Sequence, residues 1–114
     1  MTPMSYEESI LKRKLTFPEV LIYGNKYNTV SSDGKIAYII LYNQLEKALQ
    51  ENWIDEQNHV YFKFNYGEMS ELFHWTLNKT KDILSELEIK GMVQIASDPE
   101  LGIIQRTYLA ELSL

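Results

Sequence analysis

NYGEMSELFHWTLNKTKDILSELEIKG, residues 65–91, contains two helix starts and one helix stop. Asn65 followed three residues later by Glu68 is a capping-box pattern: the Asn side chain takes an orphan N–H of the first turn and the Glu reaches back to the cap. The short helix opened there carries Met69, Leu72 and Phe73 inward and ends near His74 or Trp75. Thr76 is a second N-cap. In the helix beyond it Thr80, Ile83, Leu84 and Leu87 recur at helical spacing and form the apolar side, and Gly91 supplies the stop. Two helices joined by so short a turn predict a helix-turn-helix, with Trp75 packing the pair together.

Downstream, Met92 to Ala96 and Ile103 to Leu109 are strand-like runs, and Ser97-Asp98-Pro99-Glu100-Leu101-Gly102 between them has the composition of a turn, so a hairpin is expected. Upstream, Val60, Phe62 and Phe64 alternate as one face of a strand, after a turn over Trp53 to Asn58. Earlier still, Ser31 is a good N-cap and Asp33 stands in the first turn, where the helix dipole favours an anion. Ile36, Ala37, Ile40, Leu41, Leu45, Ala48 and Leu49, widened by Tyr38 and Tyr42, give a helix running to about Asn52.

This order is that of an α+β fold, a winged helix-turn-helix of three helices with a small antiparallel sheet in which the 60–64 strand joins the hairpin. Leu41, Leu45, Leu72, Ile83, Leu84 and Leu87 are the expected core. Residues 15–114 make up the domain, and residues 1–14 are expected to form a flexible basic arm. Phe17-Pro18 and the Tyr23-Gly24-Asn25-Lys26 turn should lie across the body.

Composition bounds the function. The chain has 114 residues, 45% of them hydrophobic and 12% aromatic, enough for one core and too few for a second domain. The absence of cysteine removes disulfides, Cys-type zinc sites, iron–sulfur clusters and thiol nucleophiles. With no signal-like or membrane-length apolar run, a cytoplasmic protein without membrane contact is expected. No Ser-His-Asp order, P-loop or dinucleotide fingerprint is present, so neither an enzyme nor a cofactor is expected. Glu71-x-x-His74 imitates half of a di-iron motif, but one copy does not make a metal site. The net charge of −5 means that any contact with nucleic acid must come from local patches.

The segments VSSDGKIAYIILY, ENWIDEQNHVYFKF and SELEIKGMV occur in an order and spacing that resembles the plasmid replication initiator A (RepA) N-terminal family of Gram-positive bacteria. The resemblance runs from about Phe17 to Tyr108, with Phe17-Pro18, Val30 to Lys35 and Glu51-Asn52-Trp53-Ile54-Asp55 at the places of the family's motifs. It implies a winged helix that binds repeated sequences in a plasmid origin, usually as a homodimer. It also implies a C-terminal domain, absent from this chain, that engages host replication proteins. The chain departs from the pattern at Asn43-Gln44, at Asp82 and in the acidic wing residues Asp98 and Glu100.

The second of the paired helices is the expected recognition helix. Leu77, Asn78, Lys79, Lys81 and Ser85 lie away from its apolar side; Asn pairs with adenine in the major groove, and Lys reaches guanine or phosphate. Lys12-Arg13-Lys14 is a candidate phosphate or minor-groove arm, and Arg106 on the second wing strand a candidate phosphate contact or a partner for Glu100. Residues 66–91 carry three lysines against five acids, a net of −2, which keeps open a second reading: a winged helix turned to protein contact or dimerisation. Tyr23, Tyr27, Tyr38 and Tyr42 place such a dimer surface on the arm and the first helix.

Overall fold

The computed structural model describes residues 1–7, 15–97 and 105–113. Among the described residues, helices α1 (Val20–Tyr23), α2 (Ser32–Tyr42), α3 (Leu45–Gln50), α4 (Tyr66–Phe73) and α5 (Leu77–Ile89) precede a hairpin of β1 (Val93–Ser97) and β2 (Gln105–Leu109). The strands are antiparallel, with Val93 opposite Leu109 and Ser97 opposite Gln105. The wing tip, with Asp98 and Glu100, lies outside the described residues, as do Lys12, Arg13 and Lys14.

All three expected N-caps are in place. Ser31 Oγ accepts from Gly34 N at 3.0 Å, and Thr76 Oγ1 accepts from Lys79 N at 3.2 Å. Asn65 and Glu68 close a full capping box, at 2.7 Å from Glu68 N and 3.1 Å from Asn65 N. At the other end of α4, His74 takes the left-handed conformation, φ 58° and ψ 41°, and so turns the chain directly into Thr76 and α5. Gly91, at φ +72°, turns the chain after α5 in the same way.

The single helix expected from Ser31 to Asn52 is instead two. The break falls at Asn43-Gln44, where Ile39 O accepts both the Asn43 backbone N–H at 3.1 Å and its side-chain amide at 2.8 Å. The same amide donates to Thr16 O at 2.9 Å, and its oxygen accepts from Thr16 N at 3.1 Å. Gln44 N turns back to Leu41 O, a tighter 3₁₀-type bond. The bend seats Ala48 fully inside while leaving Leu49 exposed; Ile36, also read as apolar-face, is exposed as well.

The expected strand over Val60 to Phe64 shrinks to one residue pair. Phe62 and Thr107 exchange both backbone bonds, at 2.8 and 3.0 Å, and so join this segment to β2. Its neighbours are committed elsewhere: Tyr61 N donates to Trp53 O, and Val60 bridges Ile54. A segment shared between the Trp53 turn and the hairpin cannot extend a ladder with either.

Leu41, Leu84 and Leu87 are fully buried, and Leu45, Leu72 and Ile83 pack against them half-buried. Tyr38 joins the core rather than a dimer surface. It is 1% exposed, its hydroxyl donates to Ala110 O at 2.6 Å, and burial pushes its pKa to about 12. A buried phenol needs such a partner. Trp75 lies against Phe73, ring centroids 5.2 Å apart, and packs on the core.

Asp55 ties the Trp53 turn to the hairpin. Its Oδ1 accepts from Gln57 N and His59 N, both at 2.9 Å, and its Oδ2 accepts from the Tyr108 hydroxyl at 2.9 Å. These donors, the His59 N–H foremost, hold the carboxyl below its usual range against the opposing effect of burial.

Candidate nucleic-acid interface

α4, the turn at His74 to Thr76, and α5 form the helix-turn-helix, and α5 leans on both α4 and α2. Thr80, Leu84 and Leu87 are its buried side. Turning each residue by 100° about the axis puts Asn78, Lys81, Asp82 and Ser85 on the opposite side, and all four are exposed. Leu77, at the first turn, is 46% exposed at the edge of that face.

A third side of α5 is held by the chain that leads into α2. Lys90 Nζ donates to Thr29 Oγ1 at 3.2 Å. Ser31 N donates to Glu86 Oε2 at 2.9 Å, and the Ser31 hydroxyl donates to Glu86 Oε1. Lys79 Nζ pairs with Asp33 Oδ2 at 3.1 Å. Residues 29, 31 and 33 thus meet residues 90, 86 and 79 in antiparallel order along the helix. The close approach needs Gly34, since a Cβ there would stand 2.9 Å from Glu86 Oε1 and 3.0 Å from Val30 Cγ1.

The charges on α5 are unevenly placed. Lys79 and Lys81 fall in its opening turns, and Asp82, Glu86 and Glu88 follow. Cations near a helix N-terminus oppose the dipole, so folding alone does not favour these lysines there. Aromatic rings steady both: Lys79 Nζ lies 4.7 Å from the Trp75 ring centroid and Lys81 Nζ 5.5 Å from that of Tyr66. Both ammonium groups remain at an exposed helix end.

Arg106 is placed otherwise than its sequence position suggests. It is 9% exposed, with its guanidinium 4.4 Å from the Tyr61 ring centroid. Tyr61, Arg106 and Tyr108 share the sheet face away from Phe62 and Thr107, and Asp55 closes the group through the Tyr108 hydroxyl. Sequence reasoning missed both this cluster and the rungs between α5 and residues 29–33, because each joins segments far apart in the chain.

His74 serves as the helix cap, and among the described residues no group of three or more His, Asp or Glu side chains gathers as a metal site. No helix of the described residues is long and apolar enough to cross a membrane. A groove of about 920 Å³ lies between Pro18, Tyr42, His59, Ala96 and Leu112. It touches neither α4 nor α5 and so lies apart from the face just described.

Solved structures similar to this chain share the winged-helix fold. One described as "N-Terminal domain of DNA binding protein" superposes with a TM-score of 0.82 at 24% identity, covering 100% of this chain and 86% of that one. One described as "Structure of MDR initiator" gives 0.80 at 26% identity, covering 99% and 88%. A third, "Structure of Rep-DNA complex", gives 0.81 at 23% identity, covering 99% and 86%. A "41 kDa protein" of Lactobacillus helveticus is 31% identical over 87 residues, which are 74% of this chain and 25% of that relative's length. The family model described as replication initiator protein A (RepA) N-terminus matches residues 14–114. The chain therefore belongs to the family of RepA N-terminal domains of replication initiators.

Proposed function

We propose that this domain binds duplex DNA at repeated sequences of a plasmid replication origin, with the start of α5 in the major groove. The observation that carries the reading is the exposed group Asn78, Lys79 and Lys81 on the opening turns of the second helix of a helix-turn-helix, where recognition helices present their base-reading residues. In this pose Asn78 reads a base edge, Lys81 reaches a base or phosphate, and Leu77 lies against the groove wall. Two of the similar structures carry DNA in their descriptions, which supports the same assignment.

Lys12, Arg13 and Lys14 would add phosphate contacts from the arm. Arg106, laid on Tyr61, has little surface left for a phosphate and acts chiefly by stiffening the wing strand. A homodimer is the proposed binding form, with exposed Tyr23 and half-buried Tyr27 and Tyr42 as the tyrosines available to a second copy. Engagement of host replication proteins belongs to a further domain of the kind found in initiators of this family.

The test is a titration of origin-repeat and scrambled duplexes at two salt concentrations. Asn78→Ala should lose ~1–3 kcal/mol on the repeat and almost nothing on the scrambled duplex. Asp82→Asn should tighten both, because a carboxylate on the groove-facing side repels phosphate. If neither substitution changes affinity, α5 does not face DNA, and docking to a protein becomes the better account.

A further inference from the structure

Of the three rungs between residues 29–33 and α5, the Lys79–Asp33 rung pairs two full charges, and both side chains are 43% exposed. It also lies at the end of α5 that the DNA-binding reading places in the groove. Ion pairs this exposed add little to folding, so stability is a weak reason for Asp33 to stand there. A carboxylate oxygen 3.1 Å from the ammonium occupies a position that an arriving phosphate oxygen would take. Trp75 closes another side of the same ammonium at 4.7 Å. Phosphate and Asp33 carry like charge and would compete for one donor group.

We propose that Asp33 is an affinity-setting residue of the DNA interface, an internal competitor that holds Lys79 in place of phosphate and lowers affinity for duplexes of every sequence. The proposal rests on the DNA-binding reading and deepens it. The fully formed pair contributes no net charge to phosphate neutralisation, whereas Lys79 freed of Asp33 contributes one. Because the domain carries a net charge of −5 and few lysines on this face, a single phosphate contact is a large share of its electrostatic affinity. Asn78 lies about a quarter-turn further round the helix and is not part of the pair, so base reading is left unchanged.

The experiment compares wild type, Asp33→Asn, Lys79→Gln and the double variant. Each is titrated over a range of salt against a random-sequence duplex and against a duplex selected by the wild-type chain from a random pool. Asp33→Asn should tighten both duplexes several-fold, steepen the log–log salt slope by roughly one, and leave their affinity ratio unchanged. In the Lys79→Gln background the same substitution should change neither affinity nor slope. Asp33→Ser, which also suits a helix start, should reproduce the Asn result, and thermal unfolding confirms that the variants are folded.

Two outcomes overturn the proposal while leaving DNA binding intact: wild type binds and Asp33→Asn matches it in affinity and slope, or the gain persists in full without Lys79. The second would make Asp33 a general repelling charge rather than a competitor. If neither wild type nor Asp33→Asn binds a duplex at any salt, the DNA-binding reading and this proposal fall together.

Discussion

Gly34→Ala tests whether Glu86 clamps α5 to the start of α2. Helix propensity by itself favours the change, since Ala is better than Gly by about 1 kcal/mol in a helix interior and by less in a first turn. The structure opposes it. The new Cβ would lie 2.9 Å from Glu86 Oε1, 3.0 Å from Val30 Cγ1 and 3.2 Å from Ser31 Oγ. A carboxylate at the end of a flexible side chain would ordinarily swing away at little cost, but this one accepts both the Ser31 N–H and the Ser31 hydroxyl.

Withdrawing Glu86 gives up two charge-assisted hydrogen bonds, worth about 1.5–3 kcal/mol each when shielded and much less at an exposed residue such as Ser31. Val30 is buried and cannot easily move, and the Ser31 cap is crowded at the same time. After the propensity gain is subtracted, the expected net loss is about 1–2 kcal/mol, a fall in Tm of about 4–8 °C for a domain of this size. Circular dichroism during thermal or urea unfolding reads it directly. In a Glu86→Ala background the same substitution should cost about 1 kcal/mol less, because the tightest of the three contacts is gone. A higher Tm for Gly34→Ala in the wild-type background would show that the clamp does not constrain α5.

Two further outcomes are expected from packing and titration. Leu84→Ala, at a fully buried position of α5, should cost about 2–5 kcal/mol through lost burial and the cavity left behind; a loss under about half a kilocalorie by urea denaturation would place Leu84 outside the core. The Asp55 carboxyl titrates below its usual range in the folded chain, so its contribution is present above the unfolded-state pKa and disappears as pH falls through the depressed folded value. Asp55→Asn should accordingly be less stable than wild type at about pH 7, with the gap narrowing towards about pH 3; urea midpoints at the two pH values check it, and a constant gap would refute the assignment.

The features legible in the sequence are those written over three or four residues. The caps at Ser31, Asn65 and Thr76, the apolar side of α5 and the stop at Gly91 all depend on neighbours within one helical turn, and each stands where its pattern places it. What escaped the sequence depends on partners far along the chain. The Asn43 amide at the break is bonded to Thr16, 27 residues away, and nothing around Asn43 announces that it will be claimed from there. Phe62 alternates like a strand residue, but its neighbours' hydrogen bonds go to the Trp53 turn, so the ladder stops at one pair. Asp33 reads as a dipole-compensating acid and Arg106 as a wing cation; their partners Lys79 and Tyr61 lie 46 and 45 residues away in sequence, a distance that periodicity does not carry.

On the proposed DNA-binding role, the layout of α5 separates mounting from reading. The mount is the buried side, Thr80, Leu84 and Leu87, with the rungs at residues 79, 86 and 90 along one flank. Residues 78, 81, 82 and 85 take no part in the rungs. In that proposed role, exchanging them should alter what the domain recognises without altering where the helix sits, which would make this face a cassette for new target sequences on an unchanged mount. Lys79 belongs to the rungs but adjoins this face at Asn78, so a redesign of the cassette should treat it together with Asp33.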